Sequence, residues 1–338
     1  VQGEERLRFS LSVPDLEPPE GGWPVILYAH GTGGNYESYR RSGIALALAQ
    51  QGLATLSIDQ VHHGPRALGA CDGSEDQASC VSLLFFNFIN PVAGRDNVRQ
   101  GALDLISLAR LAEQLEISAE ESELGRSVRL NGEKLALMGH SQGGLNGPLF
   151  LAVEPRALGA MLSGAGSNIA ISIEQKKRPL DINALAKQAL GFEPDGVLDR
   201  WHPALALLQT FIEPGDASNY APLWFNRPPA GYPAKSVFMT AGLNDSYTPP
   251  ETIFALAIAG RVPLIEPIFQ EIDALNYLAV DSAGLPPYAA NVAEGRASAG
   301  LAQFEGQGHF LIFEDTSARR RAANFLKDLV NRPPPRIF

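Results

Sequence analysis

The stretch that decides the fold is KLALMGHSQGGLNG, residues 134–147. Its first five residues are mostly apolar, as in a buried strand, and its last residues are small, as at the start of a closely packed helix. Glycines at 139 and 143 flank Ser141. A strained turn between a strand and a helix that pass close to each other needs such glycines. The spacing therefore predicts a strand–turn–helix unit that presents the Ser141 hydroxyl to a site.

Apolar runs on both sides of this unit predict the rest of the core. Compact apolar runs typical of buried parallel strands occupy residues 25–29, 53–58, 135–138, 158–162, 237–241 and 301–304. Helical patterns such as 42–51 and 97–114 lie between them, and residues 6–13 alternate as in a half-solvated antiparallel strand. The alternation predicts an α/β fold with a mostly parallel, doubly wound sheet and helices on both faces.

Three segments are longer than simple connections require, namely residues 60–96, 166–233 and 261–299. Long connections in compact domains are commonly lids or binding elements. We expect a core formed by residues 1–166 and 234–338, and a cap or lid formed by residues 167–233 that covers Ser141. Pro148 falls within the helix predicted after Ser141, which it should kink or shorten.

Composition excludes several classes of protein. The 338 residues are 45% hydrophobic and 19% charged, which is incompatible with disorder or a coiled coil. The net charge of −10 and the scattered basic residues argue against a nucleic-acid partner. No apolar run approaches the roughly 20 residues of a membrane-spanning helix.

The two cysteines, Cys71 and Cys80, lie nine apart in the polar segment CDGSEDQASC, which we interpret as an exposed loop. Two close, exposed thiols favour a local disulfide and an oxidising compartment; the alternative is two unrelated reduced thiols. No second ligand pair follows at zinc-binding spacing, so we expect no metal site. We expect an extracytoplasmic protein, secreted or periplasmic, whose signal peptide is not part of this chain.

The segment HGTGG, residues 30–34, directly follows the strand at 25–29. A flexible glycine loop in this position can direct backbone N–H groups at an oxyanion. We expect the amides of Thr32 and Gln142 to form the oxyanion hole. A dinucleotide site is the alternative, because Asp59 ends the next strand, but the glycine spacing does not fit its fingerprint.

Chain order selects the partners of Ser141. Only His309, in EGQGHF, lies just past the last predicted strand, and the order serine, acid, histidine selects it as the general base. Asp245, in GLNDS, directly follows an apolar strand and is the predicted acid. Asp273 and Asp281 remain as substitute acids.

The motifs HGTGG, GHSQG, GLND and GQGH, in this order over residues 24–314, resemble the α/β-hydrolase superfamily, in particular its serine carboxylesterases and lipases. The segment IDQVHHGPR further resembles bacterial exported esterases. The resemblance implies ester hydrolysis through an acyl-enzyme on Ser141, without a metal or organic cofactor. Thioesterase, peptidase or acyltransferase activity on the same residues, or a non-catalytic binding module, are the alternatives.

The substrate is expected to be a small-molecule or lipid-like ester, and the oligomeric state is left open. We expect six residues to contact it: Gly31, Gly33, His140, Trp201, Phe211 and Trp224. The three aromatic residues would line an apolar acyl pocket under the cap; the alternative is that they form the cap's own core. If they do not shape the pocket, the loop at 85–88 or the segment 261–299 should do so.

Overall fold

The computed structural model describes residues 3–72, 74–193 and 195–338. Within them the strands form one nine-stranded sheet, ordered β1-β3-β2-β5-β6-β7-β9-β8, with β4 paired to β5. β1 and β4 are antiparallel to their neighbours and every other pairing is parallel. The strands are β1 Phe9–Ser12, β2 Trp23–Ala29, β3 Ala54–Ile58, β4 Glu116–Ile117, β5 Val128–His140, β6 Ala157–Ser163, β7 Ser236–Gly242, β8 Leu264–Ile265 and β9 Ala299–Phe304.

Helices connect the strands and cover both faces of the sheet. They are α1 Ser38–Arg41, α2 Ile44–Ala49, α3 Gln77–Phe86, α4 Pro91–Gln114, α5 Gln142–Val153, α6 Ile169–Gln175, α7 Ile182–Ala189, α8 Pro203–Ile212, α9 Pro250–Gly260, α10 Asp273–Tyr277, α11 Leu311–Glu314 and α12 Thr316–Asn331. Buried side chains of α4, α5 and α9 pack on one face of the sheet, and those of α2, α11 and α12 pack on the other.

The side chains of β2 show why its sequence is continuously apolar. Val25 and Leu27 belong to the core on one face, whereas Ile26 and Tyr28 belong to the core on the other. A strand buried on both faces has no solvent side on which to place polar residues. This arrangement confirms the predicted α/β-hydrolase architecture of a mostly parallel sheet with helices on both faces.

Several element boundaries differ from the expectations. The helix expected from residue 97 begins at Pro91, because the Asn90 side chain accepts the Ala93 N–H and proline suits the first helical position. The strand expected over 135–138 extends over Val128–His140. The expected shortening at Pro148 is wrong, since α5 continues through it to Val153.

The segment 167–233 has two parts. Its helices α6, α7 and α8 share a small apolar cluster of their own, which contains Ala170, Ile173, Ile182, Leu198 and Leu205. After α8 the chain returns to the main core, where Trp224 and Phe225 are buried. The Trp224 Nε1 donates a hydrogen bond to Pro148 O in α5, at 3.1 Å.

Cys71 and Cys80 form a disulfide. The expectation that their segment is an exposed loop is wrong in part: the Cys71 side chain is buried, and α3 begins at Gln77, capped by Asp76. In the described part of the chain no helix is long and apolar enough to cross a membrane. The same residues contain no cluster of His, Cys, Asp and Glu suited to a metal ion.

Candidate active site

Ser141 occupies a strained turn between β5 and α5. Its backbone has φ 55° and ψ −114°, a left-handed conformation that side-chain-bearing residues rarely adopt. Its N–H donates to Ser163 O on β6 at 3.0 Å, which fixes the turn to the sheet. A Cβ at Gly143 would collide with Ala29 O on β2. The turn therefore holds its conformation through tight contacts with the neighbouring strands.

The structure brings Asp245 and His309 together. Asp245 follows β7 and His309 follows β9, and these strands are neighbours in the sheet. The Asp245 Oδ2 lies 2.7 Å from the His309 Nδ1, and both side chains are buried. The other carboxylate oxygen accepts the N–H groups of Tyr247 and Thr248, each at 2.8 Å. The substitute acids Asp273 and Asp281 are exposed and do not contact His309.

Aromatic rings hold the His309 imidazole from two directions. The Tyr247 ring stacks on it at 4.9 Å between centroids, with an angle of 17°. The His140 ring lies 4.7 Å away and also packs against Phe313. Burial, followed by the neighbouring His309, holds the pKa of His140 well below its ordinary value. His140 is therefore a neutral support for the imidazole.

The structure does not join Ser141 to His309 by a hydrogen bond; among the described residues, none is formed by the Ser141 Oγ. Such bonds are commonly long without substrate and shorten when it binds. The loop 30–34 passes close to the serine, since a Cβ at Gly31 would lie only 3.0 Å from the Ser141 Cβ. Glycine at position 31 thus allows the loop 30–34 to pass directly over the serine.

Hydrogen bonds to the start of α5 hold this loop. The Thr32 Oγ1 donates to the Gln142 Oε1 at 3.0 Å, which joins the two predicted oxyanion donors. The Gly143 N–H is occupied by His30 O, whereas the Gln142 N–H has no such partner within the helix it begins. The loop 30–34 and the start of α5 are therefore joined at two points next to Ser141.

His63, which the sequence analysis did not select, also holds the loop. Its Nε2 accepts the Gly33 N–H at 2.9 Å, and its Nδ1 lies 2.9 Å from Val61 O. These contacts require a neutral ring with the proton on Nδ1. Burial lowers the pKa of His63 to about 3, so the ring stays neutral. The sequence signal was the pair HHG after β3, whose position beside HGTGG depends on the sheet order.

A narrow cavity of about 90 Å³ lies between the core and the segment 167–233. Three predicted site residues line it: Ser141, Thr32 and Gln142. The rest of its wall comes from α3, α4, α5, the segment 167–217 and the loop after Asp245. The main apolar contributors are Phe86, Phe88, Pro91, Val98, Leu145, Ile169, Leu208 and Ile212.

Four of the predicted substrate contacts lie elsewhere. Trp201 is 82% exposed and Phe211 is 44% exposed, and neither residue lines the cavity. Trp224 is fully buried in the main core, and His140 lies behind the His309 ring. Gly31 and Gly33 belong to the loop over Ser141 but do not line the cavity. The alternative segment 85–88 contributes Phe86 and Phe88 to the cavity wall.

The segment 176–178, after α6, is attached to the loop that carries Asp245. The N–H groups of Lys177 and Arg178 both donate to Ser246 O at 3.0 Å. The Lys176 Nζ donates to Tyr247 O at 2.6 Å. A segment that contributes Lys176 to the cavity wall and the loop that carries Asp245 are thus directly hydrogen-bonded.

The family model described as "Alpha/beta hydrolase family" matches residues 26–323, most of the chain. The chain belongs to the α/β-hydrolase family. The resemblance recognised in the motifs is thereby confirmed, and this α/β hydrolase is an enzyme of the hydrolase class. A search of curated proteins gives no significant match.

Solved structures share the fold of this α/β hydrolase. The acetyl xylan esterase from Paenibacillus sp. R4 matches with a TM-score of 0.55 and 18% identity, over 93% of this chain and 78% of that one. Acetyl xylan esterase 1 from Thermoanaerobacterium sp. JW/SL YS485 matches with a TM-score of 0.51 and 15% identity, over 96% and 79%. At such identities the similarity concerns the fold.

Proposed function

We propose that this α/β hydrolase cleaves carboxylic esters through an acyl-enzyme on Ser141. The observation that carries the proposal is the buried pair of Asp245 and His309, 2.7 Å apart, together with a serine that occupies a strained turn and lines the cavity. His309 accepts the serine proton as the hydroxyl attacks the ester carbonyl, and then returns it to the leaving alcohol. Asp245 keeps the imidazole oriented and stabilises its charged form. A water molecule, activated by the same histidine, releases the acid.

The amides of Thr32 and Gln142 are the proposed donors to the oxyanion. They act on charge that develops only as the carbonyl becomes tetrahedral, so they lower the barrier more than they strengthen substrate binding. We also propose that residues 167–233 form a cap, with α6 to α8 excluding water from the acyl site. The disulfide supports an oxidising, extracytoplasmic location for the protein.

The small cavity favours short acyl groups. An apolar cavity of about 150 Å³ holds one benzene molecule, and this cavity has about 90 Å³. Phe86 and Phe88, at its wall, would set the limit on acyl length. We therefore expect acetate to butyrate esters to be better substrates than long-chain esters.

The test is a comparison of Ser141→Ala and His309→Ala with the wild type on 4-nitrophenyl acetate, butyrate and decanoate. We expect each variant to lose about 10⁴-fold or more in kcat, since triad members act as a unit. A serine-directed fluorophosphonate should label the wild type and not Ser141→Ala. Retention of a tenth of the wild-type kcat in either folded variant would contradict the proposal, and preferential cleavage of matched anilides would identify an amidase instead.

A further inference from the structure

Among the described residues that line the cavity beside Ser141, Lys176 is the only basic one. It follows α6 and is partly buried, with its Nζ 5.7 Å from the centre of the Phe86 ring. The Nζ donates one hydrogen bond, to Tyr247 O at 2.6 Å. The wall around it is otherwise formed largely by apolar side chains.

The ammonium group of Lys176 has donors that the protein does not use. A lysine carries three N–H donors, and within the described residues Tyr247 O is the acceptor for one of them. Burial lowers the pKa of Lys176 to about 8, while the charge of Asp245 opposes the change. A cation kept in such surroundings costs free energy unless an anion or several acceptors meet it.

No carboxylate among the described residues pairs with Lys176. Asp216 also lines the cavity, but its oxygens already accept four hydrogen bonds, from the amide of Asn168, the side chain of Gln209, and the amide and hydroxyl of Ser218. Asp245 is engaged with His309 and two backbone amides. The acids nearest the cavity are therefore already satisfied.

A second unpaired donor lies in the same cavity. The Ser167 Oγ is buried and has no hydrogen-bond partner in the part of the chain that the structure describes, although Ser167 lines the cavity. Buried polar side-chain atoms normally have a partner, so each exception calls for one. Lys176 and Ser167 together supply donors for which the described protein residues offer no acceptor.

We propose that Lys176 binds a carboxylate of the substrate, so that the enzyme prefers esters that carry a free carboxylate in addition to the ester group. The proposal rests on ester hydrolysis at Ser141. The carboxylate can belong to the acyl part, as in a dicarboxylic acid monoester, or to the alcohol part. The charged hydrogen bond would hold the substrate beside Ser141, and the apolar wall would contact the carbon chain.

Two pairs of nearly isosteric substrates test the proposal. In the first pair, monoethyl succinate carries a carboxylate in its acyl part and ethyl succinamate carries a neutral amide there. In the second pair, 4-acetoxybenzoate carries the carboxylate in its alcohol part and 4-acetoxybenzamide carries the neutral amide. For at least one pair, we expect wild-type kcat/KM to favour the charged member. In Lys176→Met the ratio of charged to neutral kcat/KM should fall about 10- to 100-fold, the value of a charged hydrogen bond. The pair that responds identifies the part that carries the carboxylate.

The matched control is Lys177→Met, because the Lys177 side chain is exposed and pairs with Asp181. It should leave the ratio unchanged. Lys176→Gln keeps a donor for Tyr247 O but removes the charge, so it should lower the ratio as Lys176→Met does. Equal losses on both members of each pair would assign Lys176 to positioning the Tyr247 loop and overturn the proposal.

An unchanged ratio in Lys176→Met, or the absence of any wild-type preference for the charged members, would also overturn it. In both cases hydrolysis of the neutral esters would leave the proposed function in place. If the wild type hydrolysed no ester of either pair and none of the 4-nitrophenyl esters, the proposed function and this inference would fail together.

Discussion

At the scale of single residues, the acid can be identified by substitution. Asp245→Asn should lower kcat by about 10⁴-fold, because an amide in place of the carboxylate favours the wrong tautomer of His309 and leaves its charged form unstabilised. Ester hydrolysis and thermal unfolding should be measured together, so that loss of activity is separated from loss of the fold. Asp273→Asn is the matched control, since Asp273 is exposed at the start of α10. Loss of activity in the control instead would move the acid to that position.

The proposed triad was predictable from sequence because each member follows a strand of a parallel sheet. Ser141, Asp245 and His309 come within five residues of the ends of β5, β7 and β9, and the ends of parallel strands meet at one edge. The contacts of His63 and Lys176 were not predictable. They depend on how long connections pack over that edge, which no local pattern specifies.

At the scale of elements, the disulfide links Cys71 to a helix that lies next to the loop 30–34. Cys80 lies in the first turn of α3, and the Gly33 backbone approaches that turn so closely that a Cβ there would lie 2.9 Å from the Ala78 Cβ. Replacing both cysteines, Cys71→Ala with Cys80→Ala, should lower the free energy of unfolding by about 2–3 kcal/mol, the loop entropy for this spacing. Urea unfolding measures it, with the reduced wild type as the control.

The same double variant should also lower kcat/KM, because α3 carries Phe86 at the cavity wall and contacts the loop 30–34. A variant that lost neither stability nor activity would show that packing alone holds α3 in place.

The sequence predicted this bridge from cysteine spacing, but it missed the helix. Asp76 accepts the Ser79 N–H and starts α3 within a segment whose composition is typical of a loop.

At the scale of the whole molecule, buried neutral histidines make stability depend on pH. Burial lowers the pKa of His30 to about 4 and that of His63 to about 3, and the pKa of His140 also lies well below its ordinary value. Between pH 6.5 and 5 the unfolded chain therefore binds protons that the folded chain does not. The free energy of unfolding should fall as the pH falls, by up to about 1.4 kcal/mol per pH unit for each histidine.

Urea unfolding of the wild type and of His63→Gln at pH 7, 6 and 5 measures this slope. The variant should lose stability at pH 7, because the contact with Gly33 changes. Its free energy of unfolding should, however, depend less steeply on pH, because the contribution of one histidine is removed. Identical slopes would mean that His63 is protonated in the folded protein, contrary to its contacts with Gly33 and Val61. The fold was predictable at this scale because β2, β6, β7 and the second half of β5, residues 135–140, are almost entirely buried and mostly apolar. The positions of Trp201 and Phe211 at the surface and of Trp224 in the core were not predictable, because an aromatic residue in a long connection does not reveal from sequence which surface it faces.

The hydrogen bonds from the segment 176–178 to Ser246 and Tyr247 have a mechanical consequence. The loop that receives them also holds the Asp245 carboxylate, so a displacement of residues 176–178 would pull on the proposed acid. If residues 167–233 form the proposed cap, an opening that keeps residues 176–178 in place would leave the Asp245–His309 pair undisturbed, whereas an opening that displaces them would disturb it.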